Sequence, residues 1–227
     1  MIHTDTYKKL GLALSTALIF TVTLEASTII HNGTTYGTVT SPYTGKVWLD
    51  RNLGASQVCT SSTDTACYGD YYQWGRNYDG HQDSTSATTN TRATNVNSAG
   101  SSFIKGSSDW ASVDDAGATR MAHWSATDGS SVCPSGFNVP TITELKAETL
   151  DNGITNGATA FSNFLKLPAS GSRFRYTGSL SDQGSWGNVW TRTVNGSRSH
   201  FVFFGSSGAN TRYDSRVTGL SVRCIKY

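Results

Sequence analysis

At 227 residues the chain is long enough to bury one good core, and a single domain is the simplest organisation. Its formal charge of only +2, from 18 Lys and Arg against 16 Asp and Glu, leaves no electrostatic footprint for nucleic acid. An abundance of Gly, Ser, Thr, Asn and aromatics, with little Lys, Glu or Leu, favours short strands and ordered loops over a helical architecture.

The first 26 residues read as a secretory signal peptide. "MIHTDTYKK" is a polar start ending in two lysines, "LGLALSTALIFTVTL" is an apolar run too short for a comfortable membrane span, and "LEAS" offers Ala26 at a cut site. A retained anchor is the alternative. No cysteine follows directly, so no lipid anchor is expected, and no later stretch is long and apolar. The expectation is a soluble, exported chain over residues 27–227, secreted or held at the cell surface, with no membrane span after cleavage.

"TIIHNGTTYGTVT" predicts an opening hairpin turned by Asn32-Gly33, with β-branched residues on both sides. "KVWLDRNLGA" predicts a buried strand running into a loop, and "DYYQWGRNY" a short helix or core strand. Trp48, Trp74 and Trp124 read as core aromatics. Residues 79–120 form a long polar stretch with Phe103, Ile104 and Trp110 as its few anchors, which predicts a functional or mobile insertion. "VPTITELKAETL" carries the strongest helix signal: Thr141 or Thr143 can cap it, and Glu144 supplies the capping-box partner for Thr141. "GATAFSNFLKL" predicts a second short helix stopping at Pro168. "GSRFRYTGSL" reads as strand and turn. "VWTRTV" and "SRSHFVFF" flank Asn195-Gly196, a strong hairpin signal. "GSSGANTRYDS" then predicts a loop and "RVTGLSVRCIKY" a closing strand.

The four cysteines, an even number in a chain read as exported, predict two disulfides. Three pairings are open. Locality favours Cys59 with Cys67 across "CTSSTDTAC", leaving Cys133 with Cys224. Zinc has no CxxC or paired-His spacing to hold it. His81 in "DGHQD" could join Asp79 and Asp83 around a structural calcium, against the plainer reading of a polar surface loop; no other cofactor or metal is implied. Catalytic motifs such as HExxH, GxSxG or a P-loop are absent. Asn32 and Asn195 lie in glycosylation sequons that read equally as turns.

The blocks "VWLDRNLGA", "YGDYYQWGR", "CPSGFNVPTITEL", "LKLPASGSR" and "GLSVRCIKY" resemble, in order, those of the Fibrobacter succinogenes major paralogous domain family, over about residues 47–225. The resemblance implies an α+β, C-type-lectin-like fold, shared with formylglycine-generating enzymes and with variable proteins of diversity-generating retroelements. Two short helices, a twisted antiparallel sheet and long ordered loops are expected, with the terminal strands as a ligand-facing platform. This chain departs where relatives read "YWSS" (here "VWTR") and where they carry runs of Asn (here "RYDSRVTGLSVRC"). Residues 188–224 contain no Lys, Glu, Gln or Met, the restriction that adenine mutagenesis of Asn codons would impose, with Trp190 as a fixed exception. The EPN, QPD and WND motifs of calcium-dependent sugar-binding lectins do not occur.

Parity divides the second hairpin strand into Arg198, His200, Val202 and Phe204 on one face and Ser197, Ser199, Phe201 and Phe203 on the other. The resemblance puts Val202 and Phe204 in the core and turns Phe201 and Phe203 outward; the opposite assignment makes the two phenylalanines core. On the first assignment Val189, Arg192, Arg198, Phe201, Phe203, Arg212, Tyr213 and Asp214 form a recognition surface, with Tyr213 and Asp214 displayed from a loop. The expected function is non-enzymatic binding of an extracellular protein or glycan, with retroelement diversification as its sharper form. The alternatives are a structural or adhesion component of the cell envelope, and an oxidase of the formylglycine-generating type, which would need a free thiol pair.

Overall fold

A computed structural model describes residues 28–227, so the signal peptide reading of residues 1–26 lies outside the described residues. The chain opens on a hairpin of β1 (Ile29–His31) and β2 (Thr34–Tyr36), with Ile29 opposite Tyr36. Asn32 and Gly33 turn it at φ of 49° and 78°, the left-handed pair that a two-residue turn demands and Asn-Gly adopts at low cost. β3 (Thr38–Thr40) pairs with β4 (Val47–Leu49), the short strand that "KVWLDRNLGA" yields. β5 (Tyr72–Gln73) is a core strand.

Residues 79–120 are folded into the body of the domain. They carry β6 (Thr88–Thr89) and β7 (Phe103–Ile104), paired in parallel, and lead into α1 (Ala118–Ser125). That third helix has no cap signal at its own boundary: Gly117 precedes it in the left-handed region, and the Asp114 carboxylate reaches in to accept the Thr119 and Arg120 N–H groups.

Guanidinium and indole groups supply the core that this polar stretch lacks in aliphatic residues. Arg76 lies 5.3 Å over Trp110, Arg120 lies 5.0 Å from Trp110 and 5.7 Å from Trp74, and Arg216 lies 4.8 Å from Trp74. Such contacts gain when desolvated, and all three arginines are buried. Their charges are matched. Asp109 takes Arg120 through both oxygens at 2.5 and 2.9 Å and reaches Arg216 at 3.4 Å; Asp114 takes Arg120 Nε at 3.1 Å; Asp79 takes Arg76 at 2.8 Å. The indole N–H groups of Trp74, Trp110 and Trp124 each donate to a backbone carbonyl. Trp48, Trp74 and Trp124 are fully buried, as their sequence context predicts.

After β8 (Phe137–Asn138) come α2 (Ile142–Glu148) and α3 (Gly157–Ser162). The Thr141–Glu144 capping box forms as predicted, and Asn156 with Thr159 makes a second. α3 stops well short of Pro168 because Asn163 breaks it: its side-chain oxygen accepts the Leu165 N–H and its amide donates to the Glu148 carbonyl.

β9 (Ser172–Arg173) and β10 (Leu180–Ser181) form a small hairpin. The long hairpin follows as β11 (Gly187–Asn195) and β12 (Arg198–Gly205). It forms where Asn195-Gly196 predicts it, but Asn195 is the last strand residue, paired with Arg198, and the turn itself is Gly196-Ser197, with Gly196 at φ 56°. The stretch read as a loop is β13 (Gly208–Ser215), paired to β12 throughout. Its small and polar residues give no alternation of their own, so the register comes from the neighbouring strand. Tyr213 and Asp214 are therefore strand residues. The predicted closing strand is two short pieces: β14 (Gly219–Leu220) between β9 and β5, and β15 (Ile225–Lys226) between β4 and β8.

Both disulfides form, Cys59–Cys67 and Cys133–Cys224. The β11-β12-β13 sheet separates two cores: Trp190, Phe201, Phe203 and Leu220 on one side, Val189, Val202, Phe204, Leu145 and Ile154 on the other. The fold is thus α+β, short helices against several small sheets that are antiparallel apart from β6–β7. Among the described residues no helix is long and apolar enough to cross a membrane.

Candidate functional site

Pairing along β12 and β13 decides which predicted residues meet. Phe201 lies opposite Arg212, Phe203 opposite Asn210 and Ser199 opposite Asp214 on one face, while His200 lies opposite Tyr213 on the other. Parity therefore reads the faces correctly, but the outward display of Phe201 and Phe203 that the resemblance implies does not occur. Phe201 and Phe203 are only 7% and 9% exposed. Phe201 packs edge-on against Trp190 at 5.6 Å, and Phe203 lies under Trp186 at 5.7 Å and under the Arg212 guanidinium at 3.9 Å. The cause is that residues 171–187 return across this face, fastened where the Asn188 amide donates to the Gly171 carbonyl at 3.0 Å. A continuous run such as "FVFF" is the mark of a strand covered on both faces.

Three other predicted residues stand apart. Val189 faces the opposite core, opposite Val202, and is buried. Arg192 sits where the β11–β12 register breaks, and its guanidinium is engaged by Asn138 Oδ1 at 3.1 Å, by the Val139 carbonyl and by Glu144 at 3.5 Å, so it braces the start of α2. Arg198 stacks 5.5 Å over Tyr213 on the far face. Tyr213 is displayed as expected, but away from the phenylalanines.

What remains together is Phe201, Phe203, Arg212 and Asp214. With Phe174, Arg175, Asp182, Trp186 and Asn188 they line a groove of about 220 Å³ between the sheet and the β9–β10 hairpin. Past Trp186 and Arg212 it opens onto an outer hollow of about 420 Å³ reaching Ser207 and Asn210. Phe174 and Trp186, which line the groove, and Tyr176, edge-on to Phe174 at 5.4 Å, are each between 41% and 51% exposed and form an aromatic rim. Sequence reasoning missed it. Its signal was the alternation Phe-Arg-Tyr before the Gly178 turn and a Trp set among glycines.

The groove's charges are unevenly satisfied. Arg175 pairs with Asp214 at 2.7 Å and stacks 4.8 Å over Tyr176, yet its Nε is buried without a partner. Asp214 also accepts from the Thr218 hydroxyl at 3.1 Å. Arg212 spreads over Phe203 and pairs with no carboxylate among the described residues. Its guanidinium edge is free to bond a ligand acceptor in the plane of the ring stack.

The residues considered for calcium do not converge. His81 is fully buried, not part of a polar surface loop. Its Nε2 accepts the Gln73 N–H at 3.0 Å, so the proton lies on Nδ1 and is donated to Asp79 at 2.5 Å. Burial holds the imidazole down at about 4, against the pull of Asp79. Asp79 also binds Arg76, and Asp83 Oδ1 is occupied by Thr85. Among the described residues no His, Cys, Asp and Glu cluster could hold a metal ion.

Comparison with protein families, curated proteins and solved structures finds no match to this chain.

Proposed function

We propose that the chain is an exported, non-enzymatic binding domain of the C-type-lectin-like class. Its recognition surface is the groove floored by Phe201 and Phe203 and walled by Trp186, Arg175, Arg212 and Asp214, and its ligand is an extracellular protein or glycan. The observation that carries this is a concave aromatic rim, about half exposed, around the Arg212 guanidinium, which pairs with no carboxylate among the described residues. Aromatic and Arg anchors in a pocket are where binding energy concentrates. Two disulfides fit an oxidising compartment. The pairing of all four cysteines leaves the oxidase alternative without a thiol. β13 would be the diversified element: Arg212 and Asp214 line the groove and Asn210 its outer hollow, from a strand whose register β12 dictates, so their side chains can vary without moving the backbone.

The test is capture from a displayed peptide library and an immobilised glycan panel. Probes selected on the wild type should bind the Trp186→Ala/Arg212→Ala variant more weakly by about 2 kcal/mol or more. Arg198→Ala/Tyr213→Ala, on the opposite face, should leave binding nearly unchanged. Retention by the first variant, or loss by the second alone, would contradict the assignment.

A further inference from the structure

A second and much smaller pocket, of about 110 Å³, opens between the β1–β2 hairpin and the segments around Gly54 and Asp70. Its lining sets one carboxylate, Asp70, among the phenols of Tyr36, Tyr72 and Tyr78 and the side chains of Asn32 and His31. No Lys or Arg lines it, and Asp70 makes no ion pair among the described residues. Its one side-chain hydrogen bond comes from the Tyr72 hydroxyl at a long 3.3 Å. The fold makes room for this unpaired carboxylate. Gly54 is in the left-handed region at φ +77°, and a Cβ there would lie 2.3 Å from Asp70 Cγ.

We infer that this pocket binds an alkylammonium group, the carboxylate accepting its N–H donors while the tyrosine rings surround its stem. The chemistry selects that class. A divalent cation needs six or more oxygen ligands, whereas one carboxylate among tyrosine rings matches a single positive charge that donates hydrogen bonds. The volume admits a few water-sized groups, enough for an ammonium and a short methylene stem. Burial pushes the Asp70 carboxyl up to about 6, with the Tyr72 hydroxyl opposing, so the carboxylate is held ionised at neutral pH against a desolvation cost that a bound cation would offset. Tyr78, about half exposed, closes the pocket from the solvent side. The ammonium could be a lysine side chain or a free amino terminus. The site is separate from the groove and does not rest on it.

Titration followed by NMR would use Nα-acetyl-lysine methylamide, glycine methylamide and the neutral Nα-acetyl-norleucine methylamide. At least one ammonium probe should shift the pocket resonances saturably, and which one does so distinguishes side chain from terminus. The neutral analogue should bind at least about tenfold more weakly. Asp70→Asn, which keeps the shape, should weaken the ammonium probe by at least about tenfold without lowering the melting temperature. Tyr78→Ala, a surface change, should weaken it several-fold and carries the test if the first variant misfolds. Equal binding of the neutral analogue, binding unaffected by both variants, or no response to either ammonium probe would overturn the inference.

Discussion

Asp109→Ala is expected to lower the free energy of unfolding by about 3–5 kcal/mol, the usual cost of stranding buried charge. Asp109 is itself buried and, among the described residues, is the only carboxylate touching both Arg120 and Arg216, at 2.5 and 3.4 Å. Without it, Arg120 keeps Asp114, while Arg216 keeps only carbonyl and hydroxyl partners such as those of Asp115, Gly196 and Ser199. Burial first, and the adjacent Arg120 guanidinium second, already pull Arg216 below the ordinary arginine range, so removing the anion deepens an existing cost. Because Arg216 holds the Gly196 carbonyl at 2.8 Å, the β11–β12 turn should also become more open to proteolysis. Asp109→Asn should fall between the two. Urea denaturation measures the effect; a loss below about 1 kcal/mol, the range of a surface ion pair, would show that the Arg–Trp stack does not act as a unit.

Opening Cys133–Cys224 by a double serine substitution is the other large expected effect. The bridge spans 91 residues, and the loop-entropy account gives about 4–5 kcal/mol for a loop of that length, against about 2.5–3 kcal/mol for one of the size closed by Cys59–Cys67. Both Cys133 and Cys224 are fully buried beside Trp124 and Val222, so the serine hydroxyls add a desolvation cost. Reversible denaturation of the two double variants should rank them in that order. The folded fraction of either should still bind at the groove with unchanged affinity. Equal destabilisation would indicate that local strain or packing, not loop closure, sets the contribution.

Local rules made parts of this fold legible. Asn-Gly pairs predicted both hairpins, and the Thr141–Glu144 spacing predicted α2, because turns and caps are decided by neighbouring residues. Cysteine locality predicted both bridges. What failed was non-local. α1 has its cap on Asp114, outside any boundary signal. β13 has its register imposed by β12. The polar stretch 79–120 looked empty because its core is built from Arg76, Trp110 and Arg120 rather than aliphatic residues.

The candidate site divided in the same way. Strand parity correctly set Phe201 and Phe203 on the face opposite Val202, and pairing then brought Arg212 and Asp214 to them. Parity could not show that residues 171–187 fold back over the rings, which turns an expected display surface into the floor of a groove. Arg212 and Tyr213 fall in a segment that reads as a loop, to which parity does not apply; as residues of β13 they point to opposite faces. Of the groove's rim, Phe174 comes from a segment that reads only as strand and turn, and Trp186 from one with no secondary-structure signal of its own.

The groove as the recognition surface is the claim on which the functional account stands, and chemical-shift mapping of the isotope-labelled domain with its best-captured probe tests it most directly. The account predicts that saturating shifts concentrate at Trp186, Phe203, Arg212 and Asp214, with the Arg198–Tyr213 face and α2 undisturbed. Shifts centred on that opposite face, or spread with no focus at the groove, would contradict it.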